Sequence, residues 1–162
     1  MKNFLLFTLC VFVAVTAFSQ STQPPYKANK NLPAFELEQV NNTKFKTSNL
    51  RKNVPTIIMF FSPGCDHCIH QFEDMQKRMK DLKAYHIVMA TYQPLEELAE
   101  FNKKYQVAKY PNIVTGRDAN YFLPPFYEIR NFPYFAFYDK SGRLKGTFEG
   151  NMSVDNIIKK LK

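Results

Sequence analysis

Val54-Pro55-Thr56-Ile57-Ile58-Met59-Phe60-Phe61-Ser62-Pro63-Gly64-Cys65-Asp66-His67-Cys68 holds the change of pattern that decides the fold. From Val54 to Phe61 the chain is almost continuously apolar, as in a strand covered on both faces. Ser62-Pro63-Gly64 breaks the run. Beyond it Ile69, Phe72, Met75, Met79 and Leu82 recur at helical spacing, so a helix is expected through about Leu82. Two cysteines separated by two residues therefore stand at a helix start, where they can close a small disulfide ring and reopen it. Unpaired backbone N–H groups and the positive end of the helix dipole favour a thiolate at Cys65. Thiolate is the form that attacks disulfides.

Upstream, Ala34 to Val40 alternates apolar and polar residues, Asn41-Asn42-Thr43 is a turn signal, and Lys44 to Thr47 supplies a short partner strand. Downstream, Ile87 to Thr91 reads as the next buried strand, and Pro94 opens a helix through Leu95, Leu98, Phe101 and Tyr105. Asp118 to Ile129 reads as a further helical segment, bent or ended by Pro124-Pro125. Tyr134 to Tyr138 and Leu144 to Glu149 form a hairpin about Ser141-Gly142, and Ser153 caps a last helix through Ile157, Ile158 and Leu161. Strands alternating with helices in this order describe an α/β sandwich.

Residues 1–20 read as a cleavable secretory signal, with Lys2, an apolar stretch from Phe4 to Phe18, and the small-residue pattern Ala17-Phe18-Ser19. The stretch is short for a membrane span, and Cys10 within it lacks the small preceding residue of a lipid-attachment site. Residues 21–31, with Pro24-Pro25, read as a flexible leader, and residues 32–162 as one domain. Cys65 and Cys68 are then the only thiols of the processed chain. Two intervening residues enclose too short a loop to stabilise by chain entropy, so a purely structural disulfide explains them poorly. The formal charge of +8 is spread over helix faces and the tail. That scatter, in an exported chain, argues against nucleic acid as a partner.

This order, with a dithiol between a buried strand and a helix, resembles the thioredoxin fold. More closely, the chain resembles the exported TlpA/ResA-like thiol-disulfide oxidoreductases. The likeness rests on Pro33-Ala34-Phe35-Glu36-Leu37, the Asn41–Phe45 turn, Leu50 to Pro55, Phe60 to Cys68, and Phe132-Pro133-Tyr134. It implies a thioredoxin-like α/β fold, a central mixed β-sheet flanked by helices with an N-terminal β-hairpin extension. It also implies a cis Phe132–Pro133 bond facing the dithiol, with Phe132 and Pro133 binding substrate through backbone groups. Three departures stand out. Gly64 takes the place of a usual tryptophan, Met59 that of the buried aspartate of thioredoxins proper, and Gln71 that of a common glutamate. Both acids are thought to help move the proton of the second cysteine. Glu73 and Asp74 have the wrong helical phase to replace them.

Cys65, at the exposed helix end, is expected to attack, and Cys68, a turn deeper, to resolve. His67 favours a thiolate beside it and Asp66 opposes this, so both tune the redox pair. Cys65, Cys68, His67 and His70 also offer donors of the kind that suit copper or zinc. Side chains on one helical turn diverge, however, so no metal site is assigned, and His86 reads equally as a packed core residue. A non-catalytic copper or zinc carrier using the same sulfurs is the alternative. A peroxidase lacks support, because Ile58 occupies the place where such sites need a proline. The cluster Tyr121, Phe122, Phe126, Tyr127, Phe132, Tyr134, Phe135, Phe137 and Tyr138 reads mostly as core, with some of it free to flank the dithiol. The expected function is exchange of the Cys65–Cys68 dithiol with cysteines of other envelope proteins in the periplasm. The protein is expected to act as a monomer without cofactor and to be reset by an unidentified membrane or soluble redox partner, and overall resemblance leans to a reductase.

Overall fold

The computed structural model describes residues 23–162, and the expected signal segment lies outside the described residues. In chain order the strands are β1 (Glu36–Glu38), β2 (Lys44–Lys46), β3 (Thr56–Phe60), β4 (His86–Thr91), β5 (Ile113–Arg117), β6 (Tyr134–Tyr138) and β7 (Leu144–Glu149). The helices are α1 (Pro25–Ala28), α2 (Asp66–Lys77), α3 (Met79–Leu82), α4 (Leu95–Lys104), α5 (Leu123–Tyr127) and α6 (Val154–Leu161). One seven-stranded mixed sheet runs β2-β1-β5-β4-β3-β6-β7. β3, β4 and β5 pair in parallel, while β6, β7 and the β1–β2 pair join antiparallel.

β3 is buried at all five positions, as its unbroken apolar run requires. Alternate strand residues face opposite sides of a sheet. Ile57, Met59 and Phe61 accordingly enter a layer with Phe72 and Met75 of α2, Leu98 and Phe101 of α4, and Ile157 of α6. Ile58 and Phe60 enter the other layer, with Leu123 and Tyr127 of α5 and Phe35, Leu37 and Phe45 of the N-terminal hairpin. Within the stretch expected as a leader, α1 sets the Tyr26 ring 5.8 Å from Tyr127. Leu32 N–H then donates to the Gly142 carbonyl at 2.8 Å. No helix of the described residues is long and apolar enough to cross a membrane.

Two expectations about elements change. The helix after the dithiol does not run unbroken to Leu82: Arg78 leaves helical geometry (φ −117°, ψ 22°), and α3 restarts at Met79. Arg78 instead bonds Asp81 at 2.7 Å and Asp155 of α6 at 2.9 Å. The helix expected over Asp118 to Ile129 shrinks to Leu123–Tyr127; Asp118 to Phe122 form a turn, and the unexpected strand β5 ends just ahead of it at Arg117. The buried Asp118 carboxylate accepts the N–H groups of Phe122 at 3.0 Å and Leu123 at 2.7 Å, which starts the helix late. β5 owes its conformation to parallel pairing with β4 and not to local pattern.

Candidate active site around the dithiol

Cys65 is the N-cap residue of α2. Its backbone is extended (φ −87°, ψ 119°), and its carbonyl accepts the first helical hydrogen bond, from Ile69 N–H at 2.9 Å. Its own N–H donates to the Ser62 carbonyl at 3.1 Å, so Ser62 to Gly64 form a single turn between β3 and the helix. The Cys65 side chain is partly exposed beside backbone N–H groups that have no helical partner, an environment favourable to negative charge.

Cys68, nearly one turn further, has no accessible surface and belongs to the layer of Met59, Phe61 and Phe72. Burial pushes its thiol up to about 12, because desolvation disfavours the thiolate. A hydrogen bond with the Ser62 backbone opposes the rise, and Cys65 beside it adds to the rise through hydrogen bonding and charge. Both cysteines are free thiols. An accessible sulfur at a helix cap and a water-excluded sulfur against it are therefore two chemically distinct thiols.

The Phe132–Pro133 peptide bond is cis. In the β3–β6 register Phe60 faces Tyr134, which sets the buried Pro133 level with Phe61, at the end of β3 that leads into the dithiol turn. The Phe132 ring lies 5.7 Å from Phe60 and 6.0 Å from Tyr92, and Tyr92 lies 5.8 Å from Tyr121. Of the aromatic cluster read as mostly core with some members free to flank the dithiol, Tyr121 is 57% exposed, and with Tyr92 it extends an aromatic rim from the cis-proline loop. Tyr92 carries no signal in the sequence, since it follows a buried strand without any pattern of its own.

Asp66 and His67 are exposed, so their charges act on the sulfurs largely through solvent. His70 points to Glu73, 3.6 Å away, and His86, first in β4, accepts the Arg51 N–H at 3.1 Å. Among the described residues no three His, Cys, Asp or Glu side chains are grouped to share an ion. Met59 is fully buried in the apolar layer that holds Cys68. Gln71 is also buried, and its amide is bonded to the Met152 backbone: Nε2 donates to the Met152 carbonyl at 3.0 Å and Oε1 accepts the Met152 N–H at 2.6 Å. Next to it, Asn151 Nδ2 donates to the His67 carbonyl at 2.8 Å. Sequence reading misses these contacts, because 81 and 84 residues separate the partners. A groove of about 410 Å³ lies beside the dithiol, lined by Pro63, Gly64, Ile69, Phe101 and Tyr105 among others. A Cβ at Gly64 would meet nothing within 4 Å, so the backbone at this position borders open space.

Strand order, the dithiol at a helix cap and the cis-proline loop opposite it define a thioredoxin-like fold of the thiol-disulfide oxidoreductase class. The chain belongs to the AhpC/TSA family, whose model matches residues 28–151. Among solved structures, the exposed lipoprotein thioredoxin of Streptococcus pneumoniae is 25% identical and superposes with a TM-score of 0.61, over 78% of this chain and 96% of that one. A thioredoxin-family thiol:disulfide interchange protein of Chlorobium tepidum is 20% identical with a TM-score of 0.68, over 86% and 94%. A secreted disulfide oxidoreductase of Mycobacterium tuberculosis is 19% identical with a TM-score of 0.64, over 78% and 92%. No curated protein sequence matches this one.

Proposed function

We propose that the protein is an exported thiol-disulfide oxidoreductase that reduces disulfides of other envelope proteins with its Cys65–Cys68 dithiol. The observation that carries the proposal is the pairing of a partly exposed N-cap Cys65 with a fully buried Cys68. Cys65 thiolate attacks a substrate disulfide, forming a Cys65–substrate bond and releasing one substrate thiolate. Cys68, after losing its proton to solvent, attacks the Cys65 sulfur, closes the Cys65–Cys68 disulfide and releases the second substrate thiolate. Two electrons pass to the substrate, and a separate redox partner returns them to the enzyme. Phe132 and Pro133 border the substrate chain, with Tyr92 and Tyr121 offering apolar contact, while Asp66 and His67 adjust the potential. Export is supported by the signal pattern of residues 1–20, and by similarity to proteins described as exposed or secreted. The domain delivered is then residues 32–162, preceded by the 21–31 leader.

Insulin-disulfide reduction tests the reading, with metal titration of the reduced protein beside it. Activity lost in Cys65→Ser, and no tight copper or zinc binding, is the expected result. A sub-micromolar one-to-one copper site in a protein without exchange activity would replace the enzyme by a carrier. The direction of electron flow is read from the potential in glutathione buffers. A value near that of thioredoxin, about −270 mV, fits a reductase, and one near about −120 mV fits an oxidase.

A further inference from the structure

Gly150, Asn151 and Met152 link β7 to α6 and tie the two halves of the site together. Gly150 N–H donates to the Pro133 carbonyl at 2.8 Å, beside the cis bond. Asn151 grips the carbonyl of His67, the residue before Cys68, and Met152 is held at both its N–H and its C=O by Gln71. Among the described residues, these are the side-chain hydrogen bonds that join the first two turns of α2 to the rest of the fold. Gln71 lies three residues after Cys68, so the two share the buried face of the helix. Apart from the Ser62 backbone, which hydrogen-bonds its thiol, and the Cys65 sulfur beside it, the other neighbours of Cys68 are apolar. They exclude water but impose no direction, whereas attack of one sulfur on another needs a defined approach. Holding reacting groups in place raises their effective concentration by orders of magnitude.

We infer that Gln71 and Asn151 are positioning residues for the resolving step, holding the dithiol turn on the 150–152 strap so that Cys68 reaches the Cys65 sulfur. The inference rests on the oxidoreductase reading for its biological meaning. Gln71 engages both its amide nitrogen and its amide oxygen with Met152, and an amide carries no titrating proton at neutral pH, so at this position the chain has a mechanical clamp in place of a proton carrier.

Glutathione disulfide is a probe that needs no protein substrate. Cys65 thiolate attacks it, forming a Cys65–glutathione disulfide and expelling one glutathione thiolate. Cys68 thiolate then forms the Cys65–Cys68 bond and expels the second. Acid quench and mass spectrometry give the two rates separately. Asn151 is exposed, so its variants are expected to stay folded, as circular dichroism and thermal midpoints would record. Asn151→Ala, and Asn151→Asp with the same shape but no donor, are expected to slow the second step about tenfold while the first stays within twofold. Gln71→Met is expected to do the same. With the reverse step unchanged, a tenfold loss raises the dithiol potential by about 30 mV. Second-step rates within twofold of the parent in both Asn151 variants would overturn the inference. A parent that reacts normally with glutathione disulfide but leaves insulin untouched would instead overturn the protein-substrate reading, with the strap still tested.

Discussion

Cys68 must lose a proton before it can attack, and its surroundings oppose that loss. In the mixed disulfide Cys65 no longer carries a thiolate, so its contribution disappears, but burial, the largest cause, remains. The thiolate fraction of Cys68 is then small at neutral pH. Resolution of a Cys65 mixed disulfide is expected to accelerate about tenfold per pH unit between pH 7 and 9, followed by acid quench. A plateau across that range would mean that a nearby base assists. Glu73→Gln is expected to leave the profile unchanged, since Glu73 faces His70. The same burial bears on stability. The folded reduced protein keeps the Cys68 proton up to about pH 12, whereas an unfolded thiol releases it near 9.0. The unfolded chain thus binds fewer protons in this window, and stability present below pH 9 falls as pH rises through it. Tyr127 and Tyr138, both raised by burial, act in the same direction from about pH 10 upward. Denaturant melts of the reduced Cys68→Ala protein are expected to lose less stability between pH 8 and 10 than the parent. At this scale the placement of Cys65 at the helix start, of Cys68 a turn deeper and of the cis Phe132–Pro133 bond was legible, because short motifs carry it. The hold of Gln71 on Met152 was not, because only the folded chain brings them together.

At the scale of elements, β5 is where local pattern and structure part. Gly116 weakens the strand signal, yet it is glycine for a packing reason. A Cβ there would lie 2.5 Å from Leu37 Cβ and 3.0 Å from the Glu38 carbonyl oxygen. The N-terminal hairpin pairs with β5 at Glu38–Arg117, and its close approach there requires that the adjacent Gly116 has no side chain. Gly116→Ala is expected to cost about 1–3 kcal/mol, with faster amide hydrogen exchange confined to β1 and β2, because overpacking of a closed contact has that cost. Unaltered exchange in the hairpin would contradict this. The last helix was legible in full. Ser153 Oγ accepts the Asn156 N–H at 3.3 Å, and Ser153→Ala is expected to lower stability by about 1 kcal/mol in a denaturant melt. The break at Arg78 escaped the sequence pattern because Met79 and Leu82 keep the helical spacing across it, while the turn is set by Asp81 and Asp155.

For the whole molecule, the seven-stranded sheet separates two apolar layers, and the redox helix lies on one of them. Apart from β5, the order of strands and helices was readable because the buried strands β3, β4 and β6 are compact apolar runs between turn signals. The joining of the 150–152 strap to the dithiol turn arises only when the link between β7 and α6 meets α2 in the folded chain. The central claim is the division of labour between an attacking Cys65 and a resolving Cys68. Its most direct measurement is mass spectrometry of acid-quenched mixtures of a disulfide-bonded protein with the reduced parent, Cys65→Ser and Cys68→Ser. Cys68→Ser is expected to accumulate a mixed disulfide at Cys65, Cys65→Ser to form none, and the parent to pass through it to the Cys65–Cys68 disulfide. A mixed disulfide forming as fast at Cys68 in Cys65→Ser as at Cys65 in Cys68→Ser would contradict that division.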